Sequence, residues 1–150
     1  MLYSTPSLST GGCAVATTLD DVYESFEILD DWSDRYRFLI ELGGELPPMP
    51  EELKVPEHKV RGCLSQVWLV GRREGDRLHF LADSDAHIVR GLVALVLLAL
   101  GDKTPAEILR TDMQPILRRL GLDQHLSPGR SNGLHSMIER IRAIAAAHLS

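Results

Sequence analysis

Cys63 stands in "VRGCLSQVW", residues 60 to 68, directly after a glycine and inside an otherwise strand-like run. A thiolate is a strong nucleophile, and a cysteine sulfur is the side-chain atom able to hold a second, sulfane sulfur. Free cysteine is also among the most buried residue types, so the same position suits a packed, inert side chain. Gly62 relaxes the backbone at a bend there, which favours a loop position for Cys63. A third reading is a Cys-His hydrolase in which His79 or His87 approaches Cys63 in space. No third group and no nucleophile elbow of the G-x-S-x-G kind accompany it. A metal site has little support: the chain has no CxxC, and none of its six histidines lies at a recognised ligand spacing from Cys63. Cys13, the second cysteine, sits in the N-terminal stretch and is assigned no role.

Two charged residues join Cys63 as candidates. Arg130 falls in the N-terminal turn of the last expected helix, where the helix dipole disfavours a cation, so its position invites an anion opposite it. A solvated arginine is the plain alternative. Asp85, in "DSDAHIVRG", is read in the first turn of a helix, where a carboxylate is stabilised without any further role.

The elements that must position these residues follow from patterning. Thr18 with Asp21 reads as a capping box for a helix carrying Leu19, Val22, Phe26 and Leu29. Trp32, Tyr36, Leu39 and Ile40 continue the helical period to Gly43 and Gly44, a helix stop. "ELPPMPEELKVPEH" holds four prolines and reads as an extended surface connection. Val60 opens strand-like sequence, and "SQVWLVGR" and "RLHFLAD" flank a turn at Gly75, giving two or three antiparallel strands with Cys63 at a bend between the first and second. Ser84 is the expected N-cap of a helix over 86–100 stopped by Gly101. Thr104, Pro105 and Glu107 open the next helix with a capping box. A short helix over 115–120 ends at Gly121, and Ser127 with Pro128 opens the last, whose Leu134, Met137, Ile138, Ile141 and Ala145 form an apolar stripe. Helices, a small sheet, then helices indicate an α+β domain, with about three antiparallel strands covered by helices.

The 150 residues fit one compact domain, read as 19–150, behind a flexible tail over 1–18 that contains no Lys or Arg. A formal charge of −5 lacks the basic footprint of a nucleic-acid binder. The apolar run from Gly91 to Leu100 is too short to cross a bilayer, so no membrane partner is expected. The chain can shield that run within one subunit or in a homodimer. Two distant cysteines without a secretory signal point to a reducing cytoplasm.

Taken together, "VRGCLSQVW", "DSDAHIVRGLVAL" and "HLSPGRSNGLHSMIERIRA" resemble, in order and spacing, the landmark stretches of the SufE family of sulfur-acceptor proteins. The resemblance runs from about Leu19 to the C-terminus and implies a SufE/NifU-like fold. It further implies a partner, a pyridoxal-phosphate (PLP) cysteine desulfurase of the SufS or CsdA type, whose enzyme persulfide is the sulfur donor. The PLP belongs to that partner, and the chain itself is expected to hold no cofactor and no metal. By the family pattern Cys63 takes the sulfane sulfur as a persulfide, activates the desulfurase by clearing it, and passes sulfur to an iron–sulfur cluster scaffold. Such a protein is a covalent carrier and not an enzyme by itself. Asp85 and Arg130 lie near the cysteine loop in the family and are candidates for steering loop and partner. The alternative is a non-covalent desulfurase-binding adaptor in which Cys63 is structural. Family sequences often carry Gln after the cysteine, where this chain has Leu64.

Overall fold

The computed structural model describes residues 17–63 and 65–149. The expectations for the tail up to residue 16, Cys13 included, and for Leu64 lie outside the described residues.

The first helix, α1 (Leu19–Ile28), starts where local chemistry says it must. The Thr18 hydroxyl accepts from the Asp21 N–H and the Asp21 carboxylate accepts from the Thr18 N–H, so two otherwise unpaired donors are satisfied. Its Val22 and Phe26 point into the core. The second helix, α2 (Trp32–Gly43), is capped by Asp31. Arg35 from α2 donates to the carbonyls of Leu29 (2.7 Å) and Phe26 (2.8 Å), closing the open end of α1.

Apolar on most sides, α3 (His87–Leu100) is the central element. Nine of its residues are buried, so it needs partners on several faces, and α2 lies directly against it. Gly91 makes this approach possible: a Cβ there would stand 2.2 Å from the Leu39 carbonyl oxygen. The two backbones meet with nothing between them. Leu39, Leu92 and Leu95 are fully buried, each worth about 1.5–3 kcal/mol over an exposed side chain.

Among the described residues the sheet has two strands, β1 (Val67–Glu74) and β2 (Arg77–Ser84), antiparallel and in register from Val67↔Ser84 to Glu74↔Arg77. Gly75, at φ +63, makes the turn. An isolated hairpin is marginal in water, and this one is stabilised by the helices packed on it. The expected third strand is reduced to one bridge, Lys59↔Trp68, with the Val60 N–H donating to the Val67 carbonyl (2.8 Å). Pairing stops there because the chain turns at Arg61 and Gly62, with Gly62 at φ +90, and leaves the β1 edge.

The proline-rich connection is exposed at only half of its residues, and it is not simply extended. Two short 3-10 turns, Glu51–Leu53 and Pro56–His58, interrupt it, and Met49 is buried. Ser84 closes β2 instead of capping α3. Its hydroxyl accepts from the Ala86 N–H, and Ala86 is the N-cap residue. The next helix, α4 (Pro105–Arg110), has the expected capping box between Thr104 and Glu107. The helix expected from Pro115 begins earlier: α5 (Met113–Leu120) is capped by Asp112, and Pro115 is its third residue, where an N–H has no intrahelical partner to lose. The last helix, α6 (Pro128–Ala147), is capped by Ser127 and buries the predicted stripe of Leu134, Met137, Ile138, Ile141 and Ala145. Among the described residues the result is an α+β fold of six α-helices around a two-stranded antiparallel sheet. No helix among the described residues is long and apolar enough to cross a membrane.

Candidate functional site

Cys63 lies in a short loop tied down on both sides. Upstream, Arg140 of α6 donates to the carbonyls of Lys59 (3.0 Å) and Glu57 (3.1 Å). Downstream, Asp85 accepts from the Gln66 backbone N–H (3.1 Å) and side-chain amide (3.4 Å), while its own N–H donates to the Gln66 carbonyl (3.3 Å). Asp85 is therefore not in the first turn of α3. It precedes the N-cap, in the junction between β2 and α3, where its carboxylate is free to hold the cysteine segment.

Between these ties the loop presses on α6. Gly62 adopts a left-handed conformation that favours glycine, and a Cβ there would stand 2.5 Å from the Ser136 hydroxyl, which would have to turn aside. Gly133 faces the cysteine from the helix: a Cβ on it would lie 3.4 Å from the sulfur, in ordinary van der Waals contact. The Cys63 thiol points to the Gly133 carbonyl, with Sγ 3.6 Å from the oxygen. The side chain is half-buried, and that burial pushes the thiol pKa upward, because the anion loses hydration. In this conformation Cys63 is held as a neutral thiol.

A cavity of about 300 Å³ opens beside the sulfur. Val89 and Leu92 of α3 and Leu134 and Met137 of α6 give it an apolar floor, and Ser127 and Arg130 bring the first turn of α6 to its rim. The Arg130 N–H donates to the Ser127 cap at 3.3 Å, while its exposed guanidinium has no ion-pair partner among the described residues. An unpaired cation at a helix N-terminus gives the rim a positive character, which favours an anionic sulfur that comes within reach.

The fold thus brings Cys63 and Arg130 to one cavity, and Asp85 to the root of the same loop. The histidines stand elsewhere. None lines the cavity, and His79 faces Glu74 (3.2 Å) and Asp102 (3.5 Å) on the far end of the hairpin. Among the described residues no group of three or more His, Cys, Asp or Glu side chains is gathered to hold a metal ion.

A family model for SufE, described as an Fe-S metabolism associated domain, matches residues 20–145, which include Cys63, Asp85 and Arg130. The chain belongs to the SufE family. Its SufE-like relatives include an uncharacterized protein of Rhizobium meliloti (strain 1021), 51% identical over 137 residues that cover 89% of this chain and 98% of that one. Another, from Rhizobium etli, is 52% identical over 129 residues, covering 83% and 87% of the two chains. Among solved structures, the solution structure of a hypothetical protein from Thermus thermophilus superposes with a TM-score of 0.69 over 86% of this chain and 93% of that one. At 22% identity it supports the fold alone. SufE membership gives the chain a role in iron–sulfur metabolism.

Sequence reasoning missed three residues around this candidate site: Gly133, Ser136 and Arg140. Gly133 did carry a signal. A glycine inside a helix costs roughly 1 kcal/mol against alanine, so "SNGLH" marked a place where something approaches the backbone. Arg140 gave none, because its partners are backbone carbonyls some eighty positions away, at |i−j| of 81 and 83.

Proposed function

We propose that the chain is a persulfide carrier that takes sulfane sulfur from a PLP-dependent cysteine desulfurase on Cys63 and delivers it to an iron–sulfur cluster scaffold. The observation that carries this reading is a free thiol on a pinned loop, half-buried beside a small apolar cavity whose rim bears an unpaired arginine. In the transfer, the Cys63 sulfur loses its proton and attacks the outer sulfur of the donor persulfide. A new S–S bond forms at Cys63 as the donor S–S bond breaks, and the donor cysteine leaves as a thiolate that takes up the proton. The sulfane sulfur changes hands without net oxidation. The raised thiol pKa keeps Cys63 quiet until the loop opens or an anion-stabilising group arrives, which protects the sulfur from oxidants between encounters.

In this reading Asp85 sets how readily the loop lifts, and Arg130 meets the anionic donor or the forming thiolate. The protein turns over only with its partner, in a reducing compartment such as the cytoplasm, and carries no cofactor of its own. The test is to incubate the protein with an active cysteine desulfurase, PLP and cysteine, then measure intact and peptide masses without reductant. A reducible gain of about 32 Da on the Cys63 peptide, missing in Cys63→Ala, is expected for persulfide transfer. No gain with several active desulfurases, together with undiminished stimulation by Cys63→Ala, would replace the carrier with a non-covalent adaptor.

A further inference from the structure

A second carboxylate close to Asp85 gathers charges that the cysteine cavity does not use. Asp83, in β2, accepts from the Ser84 N–H at 2.8 Å, and two cations from other parts of the chain reach it. Lys54 Nζ stands 3.0 Å from its Oδ2. Arg90 Nε of α3 stands 2.9 Å from its Oδ1, as an ion pair outside hydrogen-bond alignment. Lys54 also meets Glu51 at 3.1 Å, so four charges of alternating sign run from the first 3-10 turn through β2 to α3. The side chains of Lys54 and Asp83 are only 19% and 17% exposed, so solvent screens this pair less than an ordinary surface contact. Hydrogen bonds to Asp83 and then Glu51 raise the Lys54 pKa against the opposing effect of burial, which holds the ammonium in its charged form.

The network sits at the upstream root of the cysteine loop. Trp68 faces Asp83 across the hairpin, and Lys54 Nζ lies 5.5 Å from the Trp68 ring centroid, so Lys54 covers this cross-strand pair. Trp68 bridges to Lys59, and Val60 then pairs with Val67. The stretch from Lys54 to Val60 is thus held at one end by Asp83 and at the other by the β1 edge, and Cys63 follows directly. Arg140 grips the same stretch through backbone carbonyls alone, at Glu57 and Lys59.

Asp83 and Asp85 are next neighbours but one in "DSD". Asp85 secures the chain after Cys63 through Gln66, and Asp83 secures the chain before it through Lys54. An exposed pair within one turn, such as Lys54 with Glu51, is worth little by itself. A shielded pair joining segments distant in sequence restrains the chain between them. We propose that Lys54 and Asp83 are positioning residues for Cys63, their ion pair fixing the upstream root of its loop as Asp85 fixes the downstream one. The proposal rests on Cys63 being the thiol that reacts, and Lys54 and Asp83 act on it through the backbone, since neither lines its cavity.

The test compares the full chain with Lys54→Met, Lys54→Arg and Asp83→Asn. Two readouts need no desulfurase: amide hydrogen exchange at Val60 and alkylation of Cys63 by limiting iodoacetamide. The amide of Leu95, fully buried in α3, reports global unfolding. If the pair breaks when the loop lifts, Lys54→Met and Asp83→Asn should exchange Val60 and alkylate Cys63 about fivefold faster, the effect of one partly shielded charged contact. Lys54→Arg, which keeps the charge, should stay within about twofold of the parent chain. Unchanged Val60 and Cys63 rates overturn the proposal, and faster exchange at Leu95 alone would assign the pair to the stability of the body. Lys54→Arg as fast as Lys54→Met overturns it as well. Should Asp83→Asn fail to fold, the two Lys54 variants decide. Desulfurase-dependent mass gain on the unaltered chain tests the carrier reading separately, so either reading can fail without the other.

Discussion

Removing the Asp85 carboxylate should separate loop opening from the stability of the body. Asp85 is exposed, and in the conformation described it holds the Gln66 N–H and side-chain amide just downstream of Cys63. A hydrogen bond to a charged acceptor is worth about 1.5–3 kcal/mol when shielded, and solvent exposure reduces that to about 1 kcal/mol, or roughly a factor of five in the closed-to-open ratio. Opening the loop also relieves the burial that holds the thiol pKa up, so both effects speed the same reaction. The assay is alkylation of the native protein by limiting iodoacetamide, read on the Cys63 peptide, with the Cys13 peptide from the same digest as internal reference. Asp85→Ala should raise the Cys63 rate roughly fivefold, following the open population, and shift its pH midpoint downward. A change below about twofold at unaltered thermal stability would refute the assignment of Asp85 as the latch.

Four further outcomes follow from the geometry. Gly62→Ala should cost about 1–3 kcal/mol in urea unfolding, and adding Ser136→Gly should recover only the steric part, since the left-handed strain remains. Gly91→Ala, which drives a methyl into the Leu39 carbonyl, should destabilise by about 3 kcal/mol or prevent folding, measured the same way. Arg130→Ala should leave the melting temperature unchanged within the usual surface range but slow desulfurase-dependent loading of Cys63 roughly tenfold, the loss of one charge-assisted contact. Because the folded thiol has a raised pKa, the unfolded chain loses that proton first as pH rises. The stability tied to Cys63 is therefore complete below the unfolded thiol pKa and lost as pH climbs through the folded one, and Cys63→Ser should flatten that alkaline decline in a pH series of unfolding curves.

What was legible in the sequence was mostly what short-range chemistry decides. Thr18, Thr104 and Ser127 cap the helices they were expected to cap, because a cap involves residues two or three positions apart. Ser84 misled for the opposite reason: its fate depends on pairing with Val67, seventeen positions back, which extends β2 past the point where a local reading starts the helix. Asp85 moved out of the α3 first turn with it. The bend at Gly62 and the placement of Cys63 on it were readable, since glycine before cysteine in a strand-like run announces a break. The depth at which the sulfur sits was not, because it depends on Gly133 and Ser136 of a helix seventy positions on, as the |i−j| of 70 between Cys63 and Gly133 measures.

The double tethering of the cysteine loop also limits how far its sulfur can travel. Val60 is paired to Val67 and Gln66 to Asp85, so Cys63 sits midway on a strap fixed at both ends. Three residues of extended chain on either side span at most about 10 Å, and that radius bounds any excursion short of breaking the sheet bridge or the Asp85 tie. The strap is a short leash and no swinging arm. A donor or recipient must bring its own reactive sulfur down to the rim formed by α3 and α6, and a partner whose cysteine lies in a deep, narrow cleft is served only if its walls part around this corner of the fold.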